Sequence, residues 1–365
     1  MSAPDFVHLR LHSEFSIADG TVRIDDAVAA AIADSMPALA LTDLSNAFGL
    51  VKFYKASRAA GVKPLIGCDV LVTHDAERDQ PWRLLLLAQS HAGYLRLTDW
   101  LTRAYRSNQH RGRAELRREW MAEGTEGLIA LSGARDGEVG QALLQGNAVG
   151  AERAAREWAA LFPDRFYLEV QRAGRSDDDA LVAATVALAV AAALPVVATH
   201  PVQFLRPADF RAHEARVSIA EGHVLADPRR PKRFTPDQYF KTRAEMCAAF
   251  ADLPEALANS VAIAQRCSVA IALGKNYLPD FPTPPGVTLD DHLRAEAAAG
   301  LERRLAILFP DITERDRRRP EYSARLEFET RTIVQMGFPG YFLIVADFIN
   351  WAKKNGVPVG PGRGS

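Results

Sequence analysis

What most limits the folds open to this sequence is an alternation of short apolar runs with amphipathic stretches over its N-terminal half. "FVHLRLH" and "ALALTDL" read as strands, with a helical "RIDDAVAAAIADS" between them. "KPLIGCDVLV" follows the helical "FYKASRAAG", and "WRLLLLAQ", "GLIALSG" and "RFYLEV" come next. "LPVVATH" closes the series, after an alanine-rich helix from Asp179 to Ala193. Apolar strands separated by helices imply an α/β protein whose parallel sheet is covered on both faces or closed into a barrel. Polar residues gather at the strand ends: His12, Asp43, Asp69, Arg135 and His200. In a barrel the C-terminal strand ends face a single site, so chemistry is expected there.

The stretch from His8 to Gly20, "HLRLHSEFSIADG", has the look of a metal-dependent hydrolase, with two histidines, an acid and a small-residue turn after a strand. Side chains two apart on a strand share a face, so a metal site would pair His12 with the residue at position 10. That residue is Arg10. A guanidinium has no lone pair for a metal and stays protonated at working pH. The residues alone leave two readings: no metal site, or one that has lost its metal.

Beyond Pro285 the pattern changes. "RRPKRF" and "FPTPPG" break it, and helix formers follow. Thr288, with Asp291 three residues on, starts a helix in "TLDDHLRAEAAAGLERRLAILF". "RPEYSARLEFETRTIVQMG" reads as a second helix ended by Gly337, and "YFLIVADFINWAKKNG" as a third ended by Gly356. A boundary is expected at residues 270–285, giving units 1–275 and 276–365. The formal charge of -1 provides no global basic footprint for nucleic acid, so such contacts would be local. Cys68, Cys247 and Cys267 match no paired spacing, no signal peptide opens the chain, and no apolar run is long enough to span a bilayer. A reduced cytoplasmic protein with no membrane contact is the reading that fits. The arginines of "RAYRSNQHRGRAELRREW" and "DPRRPKRF" read as solvated surface, and Cys68 as a buried small hydrophobe.

The chain closes on "GPGRGS". Glycines at 360, 362 and 364 let the backbone approach a ligand and take positive φ, Arg363 offers a fork suited to phosphate, and Ser365 a hydroxyl. "FPGYFLIVADFINWAKKNGVPVGPGRGS" closely resembles the stretch leading into the palm of bacterial replicative DNA polymerases of the C family. "FVHLRLHSEFSIADG", "MPALALTDLSNAFGLVKFYKA" and "GVKPLIGCDV" resemble the polymerase and histidinol phosphatase (PHP) domain that opens those enzymes, and "LPDFPTP" resembles their interdomain junction. The resemblance covers nearly the whole chain.

It implies a PHP-type distorted (β/α) barrel followed by a mainly helical start of the palm. It also implies template-directed DNA synthesis from deoxynucleoside triphosphates on a primer-template in the full-length protein. Mg2+ and the catalytic carboxylates would then lie beyond residue 365, while Gly362, Arg363, Gly364 and Ser365 support the incoming triphosphate. No catalytic residue and no cofactor is implied within this chain. Expected partners are a proofreading exonuclease subunit docked on the PHP domain and, through other regions, further holoenzyme subunits including the sliding clamp.

The resemblance also bears on Arg10. Metal-binding PHP proteins hold a cluster with His, Asp, Glu and Cys ligands. Transferred by motif, the ligand positions fall on Arg10, His12, Asp19, Asp43, Leu44, Asp69, Ala134, Pro201 and Gln203, and on Arg83 where a His is expected. At most His12, Asp19, Asp43 and Asp69 remain as donors, too few for a catalytic cluster. The site is therefore expected to be vestigial, with His12 in the core, Asp19 in a turn and Asp43 capping the next helix. Arg10 is expected to bridge the remaining carboxylates. An active metal-dependent phosphoesterase or pyrophosphatase and a stand-alone binding module are the alternatives.

Overall fold

The computed structural model describes residues 6–275, 278–360 and 362. The chain divides into two compact units, Met1–Ile271 and Ala272–Ser365.

In the first unit the strands are β1 (Ala38–Leu41), β2 (Lys63–Val72), β3 (Trp82–Ala88), β4 (Gln109–His110), β5 (Arg113–Leu116), β6 (Leu128–Leu131), β7 (Phe166–Val170) and β8 (Val196–Ala198). The helices are α1 (Ile24–Ala33), α2 (Leu50–Ala59), α3 (His91–Ser107), α4 (Arg118–Met121), α5 (Glu138–Leu144), α6 (Ala148–Leu161), α7 (Asp178–Ala192), α8 (Phe210–Glu221), α9 (Arg243–Ala249) and α10 (Pro254–Arg266). The sheet runs β4-β5-β2-β3-β6-β7-β8, with β1 also paired to β2. β1 lies along the first half of β2 and β5 along its end, both parallel to it.

The expected all-parallel pattern is broken at β3, which is antiparallel to both β2 and β6. No helix separates β2 from β3, so the chain reverses in the short stretch between them, and only a crossover could have kept the strands parallel. "FVHLRLH" is not a ladder strand. It runs extended between β1 and the chain after β8, bonded through Ala40 N to His8 O (3.0 Å), Thr42 N to Leu11 O (3.0 Å) and His12 N to Val202 O (3.0 Å). This seam joins the two ends of the sheet into a distorted barrel. The arginine-rich stretch, expected as solvated surface, folds after α3 into the β4–β5 hairpin and buries Ala114, Glu115 and Leu116. Core residues are apolar along whole strands, as in "LIAL" of β6, because both faces are covered.

The second unit is helical: α11 (Leu289–Leu308), α12 (Ile312–Gln335) and α13 (Pro339–Lys354). The Thr288 side chain accepts from Asp291 N (3.1 Å), which satisfies a free donor of the first turn. Gly337 and Gly356 have φ of +76° and +72°, left-handed stops after α12 and α13. The second helix begins earlier than its sequence suggests and runs through Pro320. Asp311 caps it by accepting from Glu314 N (2.9 Å), and Glu314 pairs with Arg317 and Arg318 over the turns before the proline. Among the described residues no single helix is long and apolar enough to cross a membrane.

Candidate functional site

The strand ends bring together six residues from five places. Arg10 and His12 come from the seam, Asp19 from the turn after it, Asp69 from β2, Arg83 from β3 and Glu169 from β7. The Arg10 guanidinium forks onto Glu169, with Nε to Oε1 at 2.9 Å and Nη2 to Oε2 at 3.0 Å, while its Nη1 donates to Asp69 Oδ2. His12 lies with Nδ1 2.9 Å from Asp19 Oδ1 and Nε2 3.1 Å from Asp69 Oδ2. Arg83 donates to Asp69 Oδ2 (2.8 Å) and Asp19 Oδ2 (3.3 Å). Glu169 further accepts from Gly133 N (3.1 Å), Gln171 Nε2 (3.0 Å) and Thr199 Oγ1 (2.5 Å). All of these except Arg83 and Gln171 are buried or backbone groups. A cavity of about 1270 Å³ opens over them, with Trp82, Arg135 and Arg175 in its wall.

The electrostatics follow from these contacts. Burial would push the carboxyls of Asp19 and Asp69 up, but His12, Arg10 and Arg83 outweigh it and hold both well below the usual range. Burial likewise pulls His12 toward neutrality, and the Asp19 and Asp69 carboxylates overcome it, holding the imidazole at about 9. Asp43 stands apart. Its carboxylate accepts from Ser13, at N (2.6 Å) and Oγ (2.9 Å), and burial raises it to about 6.

Several expectations need correction. Asp43 caps no helix; it fastens Ser13, and α2 begins at Gly49 without a side-chain cap. Asp19 is a buried member of the cluster rather than a simple turn residue. Arg10 meets Asp69 but not Asp19 or Asp43, and its bidentate partner is Glu169, which sequence reasoning missed. The available signal was a lone acid inside the apolar "FYLEV". Leu44 is half-buried and joins Asp69 only through backbone pairing. Ala134 is buried in a left-handed turn with φ of +46°. Pro201 lines the cavity, and Gln203 reaches the cluster with Nε2 3.3 Å from His12 Nδ1. Arg135 pairs instead with Asp177 (3.0 and 3.1 Å), and His200 is buried beside His8 at a ring separation of 6.3 Å. Cys68 is buried, its thiol pushed up by burial and by Asp69, with Sγ 3.2 Å from Asp43 O.

The basic stretches direct their charge at neighbouring acids: Arg111 to Asp79 (3.0 Å), Arg118 to Glu157 (2.8 Å), Arg230 to Glu214 (2.5 Å) and Arg233 to Glu221 (3.3 Å). In the closing loop, Gly360 and Gly362 are exposed, neither adopts left-handed backbone, and nothing would crowd a Cβ at either. Arg363, Gly364 and Ser365 lie outside the described residues.

The remaining donors do not fit a metal cluster. Asp69 Oδ2 already receives two guanidiniums and His12, and arginines occupy two expected ligand positions. Among the described residues no group of three His, Cys, Asp or Glu could hold a metal ion. This fold, with its site at the strand ends, defines a PHP domain, and residues 8–173 match the PHP domain family. Residues 291–365 match the bacterial DNA polymerase III alpha NTPase domain. The chain is 52% identical over 361 residues (99% of its length) to the DNA polymerase III subunit alpha of Pseudomonas aeruginosa. It is 54% identical over 371 aligned residues (100% of its length) to that of Neisseria meningitidis. Over its whole length the chain is similar to these DNA polymerase III alpha subunits. It spans about a third of the length of these curated relatives, 31% and 32%. A solved structure described as a metal-dependent phosphoesterase from Bifidobacterium adolescentis overlaps 55% of this chain and 88% of its own, with 12% identity and a TM-score of 0.34.

Proposed function

We propose that this chain is part of a template-directed DNA polymerase, supplying a metal-free PHP scaffold and the start of the palm. In that reading Gly362, Arg363, Gly364 and Ser365 support the triphosphate of an incoming deoxynucleotide. The palm carboxylates and their Mg2+ belong to the rest of the polymerase, as do the contacts to primer-template and sliding clamp. The PHP unit docks the proofreading exonuclease subunit and hydrolyses nothing. The observation that carries the metal-free part is the pair of guanidiniums, Arg10 and Arg83, converging on Asp69 where a metal would need its lone pairs. An active PHP phosphoesterase would need those lone pairs free.

Three assays test this. The purified chain should release no phosphate from esters or pyrophosphate with Mn2+, Zn2+ or Mg2+ added, and should extend no primer alone. It should co-sediment with the exonuclease subunit. Hydrolysis abolished by His12→Ala would overturn the scaffold reading, and absence of any complex would overturn the docking.

A further inference from the structure

We propose that an exposed apolar ridge beside the strand-end cavity, formed by Ile219, Ile17, Phe48 and Val51 around Arg216, is a docking face for a second polypeptide. The segment it fits carries apolar side chains on either side of a carboxylate. The inference deepens the docking reading above and rests on it, so the polypeptide is the exonuclease subunit and the ridge is its seat.

The ridge is assembled from stretches far apart in sequence. Ile17 lies in the turn after the seam and is 67% exposed. On one side of that turn stands α8, whose Arg216 donates through Nε to Ile17 O (3.1 Å) and through Nη2 to Glu14 O (3.0 Å). Ile219, 81% exposed, follows Arg216 by three residues and so neighbours it on the helix surface. On the other side Asn46 Nδ2 donates to Phe15 O (3.0 Å), and Asn46 Oδ1 accepts from Phe48 N (3.1 Å). Gly49 makes this approach possible, because a Cβ there would lie 2.9 Å from the Phe15 ring. Phe48 is 62% exposed, and Val51 in the first turn of α2 is exposed as well.

Single apolar side chains are ordinary on a surface, but large ones held side by side mark a place where another surface closes. The charge at the centre of the ridge narrows the choice of partner. Arg216 meets only carbonyl oxygens, and among the described residues no carboxylate comes within ion-pair distance of it. At the far end Lys52 is already paired with Glu14 and Asp25, each at 3.4 Å. A guanidinium rimmed by apolar side chains is complementary to a carboxylate, which it can hold by two parallel hydrogen bonds. Arginine and aromatic side chains are also the residues enriched where proteins dock, as Arg216 and Phe48 are placed to be.

The test is calorimetric binding of the purified exonuclease subunit to the 365-residue chain, with urea unfolding midpoints measured beside it. Ile219→Asp and Phe48→Asp should each weaken the complex at least about tenfold while leaving the urea midpoint unchanged. Val149→Asp, at an exposed site on α6, should bind like the unaltered chain. Ile219→Lys should lose less than Ile219→Asp, because a cation there would face the partner's carboxylate. Unchanged binding in both aspartate variants, or equal losses in the two Ile219 variants, would overturn the inference and leave the docking reading standing. A dimer of the unaltered chain that Ile219→Asp dissolves would give the ridge to a second copy and overturn it likewise. Absence of any complex with the unaltered chain would overturn both.

Discussion

The barrel unit and the helical unit place charge and apolar surface in opposite ways. In the barrel, Arg10, His12, Asp19, Asp69 and Glu169 are buried beneath a cavity with Trp82, Arg135 and Arg175 in its wall, and the apolar side chains fill the core. In the helical unit the ion pairs stand in water, as with Arg317 and Glu314 or Arg325 and Glu329, while Tyr341, Phe348 and Trp351 are 52%, 55% and 63% exposed. α12, at 24 residues the longest helix, buries only Thr330. The same arginine–carboxylate contact therefore has two very different values in one chain. Inside, each partner is indispensable to the other because neither can be left alone in a dry site. Outside, solvent screens the pair, and losing it changes little.

Four measurements would break or sharpen that contrast. The largest effect is expected from Arg10→Ala, which strands Glu169 and Asp69 and should cost about 3–5 kcal/mol in urea unfolding. A loss below 1 kcal/mol would place the cluster with the surface pairs. Next comes alkaline pH. His12 is held at about 9 when folded against 6.5 when free, so its contribution is complete below 6.5 and lost as pH rises through 9. Stability should fall by at most roughly 3 kcal/mol over that window, and Asp19→Asn should flatten the fall. Asp19 and Asp69, held below 3.8, act on the acid side, with stability lost as pH drops under that value. Glu169→Gln keeps the shape and part of the hydrogen bonding, and is expected to cost about 1–3 kcal/mol. The smallest effect is Arg325→Ala, whose exposed pair with Glu329 should be worth no more than about 0.5 kcal/mol.

Much of this site is legible in the sequence, within limits set by locality. Arg10 two residues before His12 signals a guanidinium on the face that His12 presents, because residues two apart on an extended chain must share a face. Asp69 stands out as an acid in an apolar strand. Glu169 carries the same signal but escaped notice, since a strand of five residues near a turn tolerates an acid at its end. Its role comes from the fork reaching it across the barrel from a residue 159 positions away, which no local pattern encodes. Asp43 misled in the opposite direction: an acid between strand and helix suits a cap, and only the return of Ser13 to its side made it a tie within the barrel. The reversed β3 was hidden because a both-faces-covered strand reads identically in either direction. The proline in "RPEY" suits the first turn of a helix, yet capping at Asp311 and the pairs on Glu314 carry the helix through Pro320.

The seam has a consequence for how the chain comes to be folded. Its two edges, the stretch around Leu11 and the one around Val202, lie far apart in sequence, as do His12 and Gln203 beside them at 191 residues. At about 5–20 residues per second, the first edge leaves the ribosome roughly 10–40 s before the second exists. Through that interval "HLRLH" has backbone groups without their final partners, and Arg10 waits for a carboxylate, Glu169, that is made only shortly before closure. Long-range pairing of this kind slows folding. The nascent chain thus carries an unzipped edge until the stretch around Val202 has been made.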